Sequence, residues 1–379
     1  MENRMNVRDL QHPLLPVLTV DDRSRQRAVV SLRRLLNSRL RPQNIEHYQR
    51  EGLPEYRRRH GRDPSDIAEI DEALRASSSW RMWSALNRSA QEMVWVAAGE
   101  PTLRDVERIE AAAQRFADSP QRRGELHLDA DFQPPAEIAH VDIHLQPGGY
   151  TLERHPQDVV AGALYENGGN VYSFGMGIGH TDSKAGAVVQ FLAQQRPGYV
   201  PRRMLEIGCS AGAAACGYAA AWPDTEVHAI DIGAGMLRYA HARAEALGLA
   251  VHFHQMNGAA LDFADGHFDL VVSNNLLHEI GRDNRRAMLA ESRRVLEPGG
   301  IAIHQDVPLR APPTPVHRVE AGWDERYNNE VFWNIYAGDD LLAELRAAGF
   351  AANEVAEHRI EKLAGGGGWY LLTGQKPRV

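Results

Sequence analysis

Apolar positions recur at three- and four-residue steps through most of residues 21–116 and predict a run of helices. Ser65-Asp66-Ile67-Ala68-Glu69-Ile70 opens on a Pro64/Ser65 start signal. Trp80, Trp83, Leu86, Met93, Val94 and Val96 carry the stripe onward, either as a core seam or as a dimer interface. Gly52-Leu53-Pro54 and residues 61–64 mark turns between helices. From Glu137 the period changes to two. Ile138, His140, Asp142 and His144 share one parity, and the alternation predicts a strand closed by Pro147-Gly148-Gly149. Asn167-Gly168-Gly169-Asn170 is a second turn signal. The expected division is a mainly helical domain over 1–165, with a strand region near 137–155, followed by a second domain over 166–379.

Beyond about residue 185 strand and helix patterns alternate, which predicts a parallel sheet with helices on both faces. Strands are expected at 203–207, 226–230, 250–255, 268–273 and 300–305, with helices at 213–221, 235–247 and 284–296. A helix at 339–348 and a strand at 369–373 follow, the latter after a glycine run at 365–368 that reads as a hairpin connection. The fold class is therefore α/β, with an added helical domain at the N-terminus.

The chemistry enters with Met204-Leu205-Glu206-Ile207-Gly208-Cys209-Ser210-Ala211-Gly212, an apolar strand running into a glycine turn and an alanine-rich helix. Glycines there let a ligand approach the backbone, and the following helix N-terminus favours negative charge. Nineteen residues after Gly212 the second strand ends at Asp231, where a carboxylate can accept from both hydroxyls of an adenosine ribose. Dinucleotide sites want Gly-x-Gly-x-x-Gly, whereas Gly208 and Gly212 are separated by three residues, which speaks against an oxidoreductase.

At these residues the chain resembles the class I methyltransferases that use S-adenosylmethionine (SAM). Glu206, Gly208 and Gly212 match the family's first motif, and Ser210 departs from it where a glycine is usual. Asp231-Ile232 with Met236 is similar to the family's ribose strand and following helix. Met236 reads either as a wall against the adenine or as helix core. Asn257-Gly258 occupies the stretch that contacts the adenine amino group, Phe268 to Asn275 resembles the fourth strand, and Arg294 to Gly300 the approach to the fifth. The resemblance implies a Rossmann-like methyltransferase fold, SAM as cofactor, and contacts from Glu206, Gly208, Cys209, Ser210, Gly212, Asp231, Ile232, Met236, Asn257, Gly258, Ser273 and Asn274.

Methyl transfer is an in-line displacement, so an aligned nucleophile, a proton acceptor and exclusion of water are needed. Groups for that task belong at the ends of the fourth and fifth strands. His278, Glu279, His304 and Asp306 are the catalytic candidates, with a capping or packing role as the alternative for His278. His278 and His304 could share a metal in the manner of some α-keto-acid C-methyltransferases, but they lack a third ligand, and no metal is expected. His140, Asp142 and His144 read as a solvated strand face rather than a ligand set. Residues 307–340 combine Pro308, Pro312, Pro313 and Pro315 with Trp323, Tyr327, Phe332, Trp333 and Tyr336. They read either as a lid over an organic substrate or as a helix packed on the N-terminal domain. Tyr172 to Asp182, with three glycines, is a second segment that could close over the cofactor.

Composition narrows the partner. The 379 residues are 43% hydrophobic and 24% charged with a net charge of −8, which argues against a phosphate-tracking nucleic-acid binder. Arginines crowd residues 1–63 (Arg33, Arg34, Arg39, Arg41, Arg57, Arg58, Arg59, Arg62), but interspersed acids make this a solvated face. No apolar run approaches the ~18 residues of a membrane span, and the first twenty residues lack the apolar centre of a signal peptide. Two cysteines, Cys209 and Cys216, imply no disulfide framework and fit a cytoplasmic protein. The expected substrate is a small organic molecule, with a peptide or protein as runner-up, a non-catalytic SAM-binding role as a third reading, and a homodimer through the N-terminal helices.

Overall fold

The computed structural model describes residues 12–172, 184–308, 314–361 and 368–378. Its N-terminal part is helical: α1 (Val20–Leu35), α2 (Asn44–His47), α3 (Leu53–His60), α4 (Ile67–Ala76), α5 (Ser78–Arg104) and α6 (Val106–Ala117). Thr19 starts α1 with a capping box to Asp22, and Asp66 and Ser77 cap α4 and α5, each satisfying an otherwise open backbone N–H. The aromatic stripe of α5 divides. Trp80, Trp83 and Val94 are buried within the chain, while Leu86, Met93 and Val96 are exposed.

No strand forms at 137–145. Ile143–Leu145 is a 3₁₀ turn in which His144 and Leu145 both have positive φ, and the Asp142 carboxylate accepts from the Gly148 N–H. Alternating polarity makes a strand only where an edge is open to pair with. The N-terminal part contributes only a two-residue edge strand to the sheet, β1 (Leu126–His127), which pairs with β4.

Two helices lead into the sheet, α7 (Val160–Tyr172) and α8 (Lys184–Gln195). The expected border at 165/166 falls inside α7. This helix wedges between α5 and the next domain; at Gly168 a Cβ would meet the Trp95 ring at 2.3 Å, so only glycine permits that approach. The remaining elements are β2 (Arg203–Ile207), α9 (Ala213–Ala221), β3 (Glu226–Asp231), α10 (Ala234–Ala246), β4 (His252–Gln255), β5 (Phe268–Asn274), α11 (Arg282–Val295), β6 (Leu296–Asp306), α12 (Pro315–Ala321), α13 (Trp323–Tyr327), α14 (Trp333–Gly338), α15 (Leu341–Ala347), β7 (Val355–Glu361) and β8 (Gly368–Gln375).

The sheet order is β1-β4-β3-β2-β5-β6-β8-β7, parallel from β1 to β6, with β8 antiparallel to both its neighbours. β5 is buried along its whole length, as an interior parallel strand covered on both faces must be. One apolar layer joins the sheet to α8, α9 and α10, the other to α11 and α15. Strand order reverses beside β2, which opens a crevice at the C-terminal ends of β2, β3 and β5. Segment 173–182 and most of the proline loop, 309–313, lie outside the described residues, as does most of the glycine run at 365–368.

Candidate functional site

The crevice is a cleft of about 860 Å³, counting its open mouth. Gly208, Ser210, Asp231, Ile232, Asn257, Gly258 and Asn274, all singled out in the sequence, line it, and Ile207 stands beside them. The strand-to-helix turn that forms its floor depends on left-handed backbone. Gly208 has φ +75°, and Ser210 reaches φ +48° despite its side chain. Ser210 donates its N–H to the Asp231 carboxylate at 2.8 Å, and Gly233 donates at 3.0 Å. Burial nevertheless pushes the Asp231 carboxyl above its ordinary range, so further donors from a ligand are favoured there.

The other residues expected to touch the cofactor sit behind this wall. Met236 is fully buried in a core shared by α6, α7 and α10, which decides between its two readings. Glu206 is buried beneath the turn, where the Asn274 amide donates to it at 2.8 Å and burial raises its carboxyl to about 7. Cys209 is buried in the sheet core, Gly212 packs against Ala240, and the Ser273 hydroxyl lies 2.9 Å from Nδ1 of His304. Of these, Glu206 reaches the cleft only through Asn274, whose amide it holds.

At the other end of the cleft the catalytic candidates separate. Nδ1 of His278 lies 2.5 Å from the Asp306 carboxylate, which is fully buried at the end of β6. Nε2 of His278 then faces Glu279 at 3.5 Å and Glu330 at 4.0 Å. Burial alone would disfavour the imidazolium, but Asp306 and then Glu279 more than offset it and hold the ring's pKa well above the usual histidine range. His304 is also fully buried, with its pKa pushed down to about 4 by burial, and does not line the cleft. It is not part of the group around His278.

Residues that pattern alone did not single out complete this end. His144 was read as part of a solvated strand. Its turn instead brings Nε2 to 3.1 Å from Glu279 and Nδ1 against Glu330. The His144 carbonyl accepts from Gln91 and Trp95 of α5, which fixes the turn. The Tyr150 hydroxyl donates to Glu279 at 3.1 Å, while Tyr165 and Lys184 line the same wall. Glu330, only 1% exposed, lies on the loop before α14; burial, with the Glu279 carboxylate beside it, raises its carboxyl. Nothing in sequence marks such a glutamate as buried. The aromatic segment packs on the N-terminal helices, one of the two readings offered for it, and also reaches the group around His278. Trp323 donates to Ser84 of α5 at 2.7 Å, and Trp333 stands edge-on to His278 with ring centroids 5.3 Å apart.

Residues 204–300 match the family described as a methyltransferase domain. The chain is 32% identical over 170 residues to the release factor glutamine methyltransferase of Deinococcus radiodurans, covering 39% of this chain and 59% of that protein. It is 36% identical over 115 residues to the demethylmenaquinone methyltransferase of Thermus thermophilus, covering 30% and 50% respectively. The chain thus spans about half the length of these curated relatives. Among solved structures it is similar to phosphoethanolamine N-methyltransferase 2 of Haemonchus contortus with bound SAM, at 16% identity, TM-score 0.38, and 50% and 52% coverage of the two chains. Residues 204–300 thus form a methyltransferase domain, set in a sheet with the Rossmann-like order of the class I enzymes that the sequence resembles.

Proposed function

We propose that this protein transfers the methyl group of SAM to a small organic molecule. One observation carries the reading: a single cleft joins the Asp231 carboxylate at one end to Glu279, His144 and Tyr150 at the other. SAM supplies an electrophilic methyl group when bound. Asp231 accepts from the ribose hydroxyls, Ile232, Met256 and Met288 offer an apolar slot to the base, and Lys184 suits the carboxylate of the amino-acid tail. Glu279, braced by Tyr150 and facing His278, is placed to anchor an acceptor or take its proton. Trp333 and the fully buried Tyr336 shield that end from water.

Asp231→Ala is expected to weaken SAM or S-adenosylhomocysteine binding by about 1.5–3 kcal/mol, through loss of a charged acceptor for the ribose. Calorimetry on the full chain measures it. Unchanged affinity removes Asp231 from the site, and NADH binding tighter than SAM overturns the reading.

The homodimer is proposed through α5. Met82, Leu86, Met93, Val96 and Leu103 are exposed along one side of it. An antiparallel pair of α5 helices would set the half bearing Arg81 and Arg88 against the half bearing Glu92 and Glu100, as a two-fold contact requires. Light scattering is expected to give about twice 42.2 kDa, and Met93→Glu a single-chain mass. A wild-type mass of one chain at every concentration sinks the dimer. Among the described residues no helix is long and apolar enough to cross a membrane. Both cysteines are free and buried, which supports a reducing, cytoplasmic setting.

A further inference from the structure

His144, His278, Glu279 and Glu330 come from three distant stretches of chain, and one ligand atom from each lies within 4.8 Å of the other three. Three of the four are buried, and no single helix or strand supplies the set. Ligands of a tetrahedral zinc ion stand roughly 3.3 Å apart, given metal–ligand distances of about 2.0–2.2 Å. The separations here of 3.1, 3.5 and 4.0 Å need only small side-chain rotations to reach that spacing.

Two further observations point to a cation. Oε2 of Glu279 and Oε2 of Glu330 are both buried with no hydrogen-bond partner, a costly state for carboxylate oxygens. Among the described residues, no lysine or arginine pairs with either glutamate. The hydrogen bond from Nδ1 of His278 to Asp306 also orients the ring so that Nε2 turns toward the group, the arrangement that carboxylates impose on metal-binding histidines. The other two clusters of this kind differ. Arg154 already pairs with Glu110 and Asp158 of one, and Glu226 of the other is exposed and approached by Arg203.

We infer that His144, His278, Glu279 and Glu330 bind one divalent first-row transition-metal ion, for which mixed imidazole and carboxylate donors are suited. Because His144 and Glu279 line the cleft, the ion is open to a ligand from that side. Resting on the proposed methyl transfer, the acceptor class then narrows to molecules that offer an oxygen donor to the ion.

The test uses the full chain, stripped with a chelator and then titrated with Zn²⁺ by calorimetry, with metal content measured after dialysis. One ion per chain is expected. Asp306→Asn should weaken it about 10–100-fold. Glu330→Gln and His144→Gln should each weaken it at least as much, while S-adenosylhomocysteine affinity stays as in wild type and shows that the chain is folded. Co²⁺ in place of Zn²⁺ should give visible absorption that Glu330→Gln abolishes. Glu226→Gln should change nothing. No retained ion in the wild type, or wild-type binding by both Glu330→Gln and His144→Gln, overturns the site. Loss of S-adenosylhomocysteine binding with an intact metal isotherm overturns the methyltransferase reading instead.

Discussion

Changing His278 to alanine is expected to lower turnover by about 10²–10⁴-fold and to leave S-adenosylhomocysteine affinity intact. The expectation follows from position. His278 lies just beyond the end of β5, its Nδ1 is held by Asp306, and its other nitrogen faces Glu330 and Glu279, the latter on the cleft wall. Asp231 and the residues around it, proposed to hold the donor, are untouched by the change. Asp306→Asn should give a milder loss in kcat, because the ring stays in place while its orientation loosens. The checks are steady-state kinetics on an accepted substrate and calorimetry with S-adenosylhomocysteine. Near-normal turnover would make His278 a packing residue and shift attention to Glu279. A parallel fall in cofactor affinity would show that it shapes the cofactor pocket.

Glu166→Gln is expected to cost about 3–5 kcal/mol of stability, because it strands a buried guanidinium. Glu166 sits in α7 and Arg243 in α10; both are buried, with the carboxylate 3.4 Å from Nη2 of Arg243. The Tyr239 hydroxyl donates to the same carboxylate at 2.7 Å, and His12 lies 3.2 Å from it. Burial pushes the Glu166 carboxyl up, but Arg243 first, then His12 and Tyr239, bring it down to about 2. A carboxyl lowered on folding stabilises the protein fully above its ordinary value of 4.5, and the contribution is lost as pH falls towards 2. Urea unfolding at neutral pH should show the difference between wild type and variant, and the gap should narrow below about pH 4. An equal midpoint at neutral pH would mean that the pair adds nothing.

The sheet was legible because its signals are local. Arg203–Ile207 is predicted and observed with the same bounds, and β3, β5 and α9 fall within a residue or so of theirs. Apolar runs punctuated by Gly208 encode such elements directly, whereas Pro298-Gly299, which reads as a turn before the strand, lies inside β6 at an irregularity of its pairing with β5. Asp231, Asn257 and Gly258 were readable for the same reason, since strand ends in a parallel sheet have a fixed place relative to the crevice. The acceptor wall was not. His144 alternates like a strand residue, but its segment folds into a turn held by Gln91 and Trp95, partners far off in sequence. Glu330 looks like any loop glutamate until Trp333 and His278 enclose it. His304 follows the alternation that marks a strand end, yet it lies two residues short of it and is sealed against Ser273.

His144 and Glu330 lie on either side of 204–300, the segment that matches the methyltransferase-domain family. Likeness through that segment therefore covers the proposed donor's half of the cleft together with His278 and Glu279, and is silent on the two flanks that complete the acceptor's half. Two proteins could share every residue of the sheet and methylate unrelated compounds, their difference written in a turn below residue 150 and a loop above residue 320. Substrates of related chains are better inferred by matching those two flanks than by ranking overall identity, and grafting both flanks together is the smallest exchange that could carry a specificity from one member to another.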